Sequence, residues 1–348
     1  MALPTFYGLR TSMESVLDVR NLTTQVHTKR GVLTAVDGVS FTIQASEVFG
    51  VVGESGSGKS MTCRSVLQLL SSPCKVVGGE VMYRGRDLLQ MNRDDLNQVR
   101  GKEIAMIFQD PMTVLNPVLR IGVQLTEVML EHGVATSKAD AQERAVGLLR
   151  LVGISAPERR LSDYPHQFSG GMCQRVVIAI ALACQPRLIL ADEPTTALDV
   201  TIQDQILKLL FRLQHELGLS LLLVTHDMGV VAQTCQRVAV MYAGQIVEMG
   251  DKSALFASPQ HPYTIGLLNC VPRFGINGNV RRLAAIPGSP PDLVHVPSGC
   301  RFHPRCPLAS EECMSGVFPL REVGPAHFSA CIKHEQLAAE SSPVATIN

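Results

Sequence analysis

The chain has 348 residues, enough for about two full-sized cores at roughly 150 residues each. Lys plus Arg and Asp plus Glu both total 31, so the net charge is zero. That balance argues against a general nucleic-acid binder, which shows a basic excess, but leaves room for a local anion site. Charged residues are 18% of the chain and apolar residues 46%, so some apolar surface is expected to be covered by partners.

Short strands are expected at residues 16–19 and 36–43, and residues 48–52 form a continuous apolar run. Such a run suits a strand buried on both faces. Further strands are expected at 80–83 and 104–108. From about 111 to 164 the pattern becomes helical, with a capping-box-like Ser137 to Asp140 ahead of apolar positions at helical spacing. Between 172 and 251 helix and strand alternate, with strands at 188–191, 221–225 and a last pair near 238–248. This alternation is that of an α/β sheet with crossover helices. Beyond Pro259 proline and glycine rise and periodicity fades, leaving a loop-rich appendage. No apolar run reaches the roughly 18–20 residues of a membrane-crossing helix. The amino-terminal stretch does not read as a secretory signal. The ten cysteines are therefore expected as reduced thiols or metal ligands.

Gly53-Glu54-Ser55-Gly56-Ser57-Gly58-Lys59-Ser60, followed by Met61, fits G-x-x-x-x-G-K-[ST] directly after a predicted strand. The glycines let successive N–H groups turn toward one oxyanion, and the next helix adds its positive end. Lys59 would reach the β- and γ-phosphates and Ser60 would ligate Mg²⁺. A glycine-rich turn with an incidental lysine is the bland alternative, disfavoured by the preceding strand. Asp192 and Glu193 follow an apolar strand. There Asp192 can hold the Mg²⁺ shell and Glu193 can orient the attacking water. An isolated Asp-Glu pair would read as a solvated turn.

Ser169-Gly170-Gly171 at a helix start is a second anion-binding terminus. One nucleotide does not need two from one subunit, so this one is expected to meet the γ-phosphate of ATP held by a partner subunit. Gln109 and His226 sit at carboxyl ends of strands, where ligand residues collect. Alone, each reads as an ordinary loop residue. Asp199 reads equally as the first-turn acid of the next helix. Cys63 and Cys173 read as packing residues and His303 as a surface residue. Cys300, Cys306, Cys313 and Cys331 are spaced C-x5-C-x6-C-x17-C. Four thiolates suffice for a closed zinc site or a [4Fe–4S] cluster. Four unrelated buried thiols and a disulfide pair are the alternatives.

On these motifs, in this order, the chain resembles an ABC-type ATPase. More narrowly, it resembles the ATP-binding subunit of a dipeptide/oligopeptide importer. Phe108-Gln-Asp-Pro-Met-Thr-Val-Leu-Asn-Pro117, Phe168-Ser-Gly-Gly-Met-Cys-Gln-Arg175, His261-Pro-Tyr-Thr264 and Cys300-Arg-Phe-His-Pro-Arg-Cys306 carry the finer likeness. Nickel and glutathione importers share much of it. The resemblance implies an α/β P-loop NTPase fold with an antiparallel β subdomain and a helical subdomain at about 110–172. It implies an ATPase domain at 14–270 and a cysteine-rich extension at 271–348. ATP and Mg²⁺ are the implied ligands, with Ser60, Gln109 and Asp192 around the metal. Glu193 is implied as general base, His226 as γ-phosphate contact, and Asp199 as the end of a further loop in the family's motif order.

The resemblance also implies a head-to-tail heterodimer with a second homologous ATPase, working with two membrane permeases. An extracytoplasmic peptide-binding protein would act indirectly, and no nucleic acid is involved. The implied location is peripheral, on the cytoplasmic face of the inner membrane. For the four tail cysteines it favours iron–sulfur over zinc. Two departures stand out. No aromatic residue lies between Tyr7 and Phe41 to stack on adenine, the matching place being Val26-His27. The signature has Met172 where the general family has Gln, as the peptide group commonly does. A non-transport ABC ATPase would carry paired cassettes or long insertions, which are not seen. A degenerate cassette is disfavoured by intact Lys59, Asp192, Glu193 and His226.

Overall fold

The computed structural model describes residues 15–196, 198–270 and 285–340, and the expected boundaries at 14 and 271 lie outside them. The chain divides into two compact units. One holds residues 15–17, 43–47 and 90–222, and the other holds 18–42, 48–89 and the chain from 223 onward.

In the first unit, strands Ile104–Ile107 and Leu188–Asp192 run parallel, with Ile104 opposite Leu188 and Ile107 opposite Ala191. Every residue of Leu188–Asp192 is buried, as the unbroken Leu-Ile-Leu-Ala run implies. A parallel pair needs a long crossover. Here it includes helices Ile121–Glu131, Lys138–Leu151 and Gly170–Leu182. Ser137 caps the second of these, its Oγ accepting from the Asp140 N–H at 3.1 Å. Asp140 in turn accepts from the N–H of Thr136, one residue earlier than a true capping box requires. Helix Val200–Leu217 follows, burying Ile206, Leu209, Leu210 and Leu213 along one stripe. Gly218, at φ 63°, closes it in the left-handed conformation.

In the second unit, Val48–Val52 is buried throughout and runs parallel to Arg237–Tyr242. The hairpin to Gln245–Asp251 turns on Ala243 and Gly244, both at positive φ, as a tight two-residue connection between right-twisted strands requires. The tail is less loop-like than its composition suggests. His327–Ser329 pairs antiparallel with Gln245–Asp251, and Arg321–Gly324 pairs with His327–Ser329. Strands this short leave no periodicity to read, and their partner lies far away in sequence. Helix Pro262–Cys270 was likewise hidden by the rise in proline. A second sheet orders Gly31–Gln44, Ser15–Thr28, Cys74–Tyr83 and Arg86–Asp87. Among the described residues no helix is long and apolar enough to cross a membrane.

Candidate functional site

The glycine-rich loop leaves strand Val48–Val52 and enters helix Lys59–Val66. Gly53 has no room for a side chain: a Cβ there would lie 2.1 Å from the Met241 carbonyl oxygen. Gly58 is equally confined, 2.3 Å from the Ala35 carbonyl oxygen, and sits at φ 104°. Gly56, at φ 77°, needs glycine for conformation rather than space. Lys59 is buried and its Nζ donates to the carbonyls of Gly53 (2.8 Å) and Glu54 (2.9 Å). The ammonium is thereby folded over its own loop. Ser55 and Gly56 are exposed at the tip, and Ser60 is half-buried with Met61.

In the first unit, Asp192 is the last residue of its strand and 1% exposed. Glu193 follows at φ 46°, a left-handed conformation rare for a residue with a side chain and often found at functional sites. Its Oε2 accepts from Gln109 Nε2 at 3.2 Å and from Thr196 Oγ1 at 2.7 Å. The expected base and the expected glutamine loop therefore meet directly. Gln109 is followed by Asp110, which caps the short helix Pro111–Val114 through the Met112 N–H.

Ser169 caps helix Gly170–Leu182 by accepting from the Met172 N–H at 3.3 Å. Ser169 and Gly170 are exposed. Gly171 faces helix Val200–Leu217, where a Cβ would come within 2.6 Å of Ile202 Cγ2. Asp199 is exposed at the N-cap position of that helix, with no capping bond from its side chain. In the second unit, His226 is exposed directly after strand Ser220–Thr225. Val26 is half-buried and His27 exposed on strand Ser15–Thr28.

The tail cysteines converge. Cys300, Cys306, Cys313 and Cys331 line one cavity of about 20 Å³ together with His261 and His303, and His303, expected at the surface, is half-buried. Burial raises the thiol pKa of Cys300 and Cys306, and pushes that of Cys331 up to about 12. The expected metal centre is nevertheless not met by a built donor set. Among the described residues no three or more His, Cys, Asp or Glu side chains are grouped closely enough to hold an ion. The cavity has room for about one water. Cys63 and Cys173 are fully buried in helices, as expected of packing residues.

Sequence reasoning missed the tail's hold on the glycine-rich loop. Arg305, between two of the cysteines, has a side chain only 4% exposed. Its guanidinium donates to both carboxylate oxygens of Glu54, at 2.6 and 2.9 Å. It also reaches the Pro287 carbonyl and the Tyr242 hydroxyl. The hydrogen bond to Glu54 holds the Arg305 pKa above its already high ordinary value. Tyr263 takes the Glu54 N–H on its hydroxyl at 2.8 Å. A lone arginine in a proline-rich stretch carries no periodic or spacing signal. Only the fold brings it to residue 54.

A glycine-rich loop between a buried strand and a helix, a buried aspartate at a strand end and a paired glutamate after it define a P-loop ATPase of mixed α/β fold. The chain matches the ABC transporter family over residues 36–196 and the oligopeptide/dipeptide transporter C-terminal region over 247–313. It is 50% identical to a probable peptide ABC transporter ATP-binding protein of Sinorhizobium fredii, over 92% of this chain and 96% of that one. It is 47% identical to the oligopeptide transport ATP-binding protein OppD of Escherichia coli, over 92% and 94%. Among solved structures, the dimeric, post-hydrolysis ATP-binding cassette MJ0796 bound to ADP and Pi matches with a TM-score of 0.61. The identity there is 30%, over 68% of this chain and 98% of that one. The chain belongs to the ATP-binding subunits of ABC transporters, in the group that carries the oligopeptide/dipeptide C-terminal region.

Proposed function

We propose that this chain is the ATP-hydrolysing subunit that powers ABC-type import of dipeptides or oligopeptides. The observation that carries it is the joint presence of a built P-loop and the peptide-transporter C-terminal region in one chain. The loop amides of residues 55–60 and Lys59 bind the β- and γ-phosphates, Lys59 leaving the carbonyls of Gly53 and Glu54 as it does so. Mg²⁺, when bound, neutralises charge on the β- and γ-phosphate oxygens. Ser60, Asp192 and Gln109 are the residues for its shell. One carboxylate and a hydroxyl suit Mg²⁺, which usually keeps waters and substrate oxygens rather than a full protein cage. Glu193 takes the proton of the attacking water, and His226 contacts the γ-phosphate. Ser169, Gly170 and Gly171 face the nucleotide of a second, homologous ATPase, for which the exposure of Ser169 and Gly170 leaves this helix start available. Asp199 borders the same face.

Two permeases are the membrane partners, reached through the helical region of about 110–172. In support, that region has a groove of about 840 Å³ lined by Arg120, Val123, Glu127 and Leu130 among others. Val118 beside it is 76% exposed. A peptide-binding protein outside the membrane acts indirectly. The location is peripheral, on the cytoplasmic face of the inner membrane. For the tail, four cysteines on one cavity support an iron–sulfur site, which the thiols would have to rearrange to hold. A single zinc ion is the weaker choice, since it needs four sulfurs about 2.3 Å from one point. Anaerobically purified protein with neither iron nor zinc in stoichiometric amount makes them packing thiols only.

The test of the ATPase assignment is Glu193→Gln. In the assembled complex it keeps ATP bound and loses turnover by about 100-fold or more. Normal turnover removes Glu193 from its role.

A further inference from the structure

We infer that Arg305 is a positioning residue of the nucleotide site, supplied by the tail. It neutralises and pins Glu54, so that the P-loop can accept a triphosphate. The inference rests on the ATP-site reading above. Glu54 is the second residue of the P-loop, a carboxylate within a loop whose remaining chemistry is built to attract anions. Left alone, it would oppose the phosphates and draw on the same ammonium, that of Lys59, whose Nζ already lies on the Glu54 carbonyl.

The structure removes this conflict from one side. Arg305 closes a fork on both Glu54 oxygens, the geometry in which arginine binds carboxylate most strongly. Its own side chain is nearly excluded from water, while that of Glu54 is partly exposed. The fork is itself held. The Arg305 Nε donates to the Pro287 carbonyl at 2.8 Å, and the guanidinium lies over the rings of Tyr242 and Phe302. Phe302 packs edge-on to Tyr242 and tilted against Tyr263. Tyr263 in turn receives the Glu54 N–H. Residue 54 is thus fixed at its side chain by Arg305 and at its backbone by Tyr263, both from the carboxyl-terminal part of the chain. A second arginine, Arg301, bridges Asp37 and the Ala243 carbonyl. It anchors the same tail loop beside the turn that follows strand Arg237–Tyr242.

The test is equilibrium binding of Mg-ATP to the full-length chain, with thermal stability measured alongside. Arg305→Ala is expected to weaken Mg-ATP binding by about tenfold, because it leaves an uncompensated carboxylate in the loop. Adding Glu54→Gln to Arg305→Ala is expected to restore most of that loss. In the assembled transporter Arg305→Ala is expected to raise KM for ATP, with kcat within about twofold of wild type. Should Arg305→Ala fail to fold, Arg305→Gln, neutral and close in length, carries the same comparison. An affinity within twofold of wild type overturns the inference. So does a loss that Glu54→Gln leaves unrepaired, since the arginine would then act only on tail structure. A folded wild-type chain that binds no Mg-ATP sinks the ATP-site reading instead.

Discussion

Glu193 receives two donors on a single carboxylate oxygen while its backbone sits in a left-handed conformation. Such a carboxylate is oriented rather than free to rotate, which is what a base needs if a water is to approach from one direction. Thr196→Val removes the closer donor, at 2.7 Å, with little change in volume. Turnover of the assembled complex is expected to fall by about tenfold, with ATP affinity unchanged.

A second single-residue expectation concerns His261, wholly buried on the thiol-lined cavity. Burial lowers its pKa from 6.5 to about 3, and its Nδ1 accepts from the Tyr263 N–H at 3.1 Å. The unfolded chain takes up a proton on this imidazole below about 6.5, whereas the folded chain stays neutral until about 3. Stability therefore falls as pH drops through that window, by about 1.4 kcal/mol per pH unit for the one proton. His261→Asn keeps an acceptor for Tyr263 and does not titrate. Its unfolding free energy between pH 4 and 6 should slope less steeply with pH than that of wild type. Equal slopes would show that His261 titrates alike in both states.

Helix Gly170–Leu182 shows how an element can be legible for one reason and built for another. The Ser-Gly-Gly start marks it from sequence as an anion-facing terminus. Ser169 does cap it, through the Met172 N–H. The second glycine, however, is also a packing necessity, because a Cβ at Gly171 would meet Ile202 Cγ2 at 2.6 Å. Gly171→Ala is expected to cost about 1–3 kcal/mol in chemical denaturation, as overpacking does. Ile202→Ala in the same chain should recover part of it, a coupling that a double-mutant cycle detects.

Elements with strong local signals were readable in the same way. The apolar strands Val48–Val52 and Leu188–Asp192 needed only their own composition. Ser137 and its helix needed only a cap and a period. Strands Arg321–Gly324 and His327–Ser329 were not readable, because three or four residues leave no pattern and their pairing with Gln245–Asp251 is a long-range event. The site divides along the same line. Lys59, Asp192 and Glu193 stood in motifs whose spacing carries the chemistry. Arg305 and Thr196 act through contacts that no spacing announces.

At the scale of the whole molecule, the P-loop and the cysteine-rich tail belong to one compact unit and meet at Glu54. The peptide-transporter region, matched from residue 247, begins within the strand Gln245–Asp251 of that unit. The tail contributes strands, Phe302 of the aromatic cluster and Arg305, so shortening it before Arg305 is expected to impair nucleotide binding as well as stability.

The central claim, ATP-driven peptide import, is tested most directly by uptake of a labelled di- or oligopeptide into cells that lack this chain. Re-expressed wild-type protein is expected to restore uptake, and Glu193→Gln, expressed to the same level, is expected not to. Uptake that is unaffected by loss of the chain, or that Glu193→Gln restores in full, would contradict it.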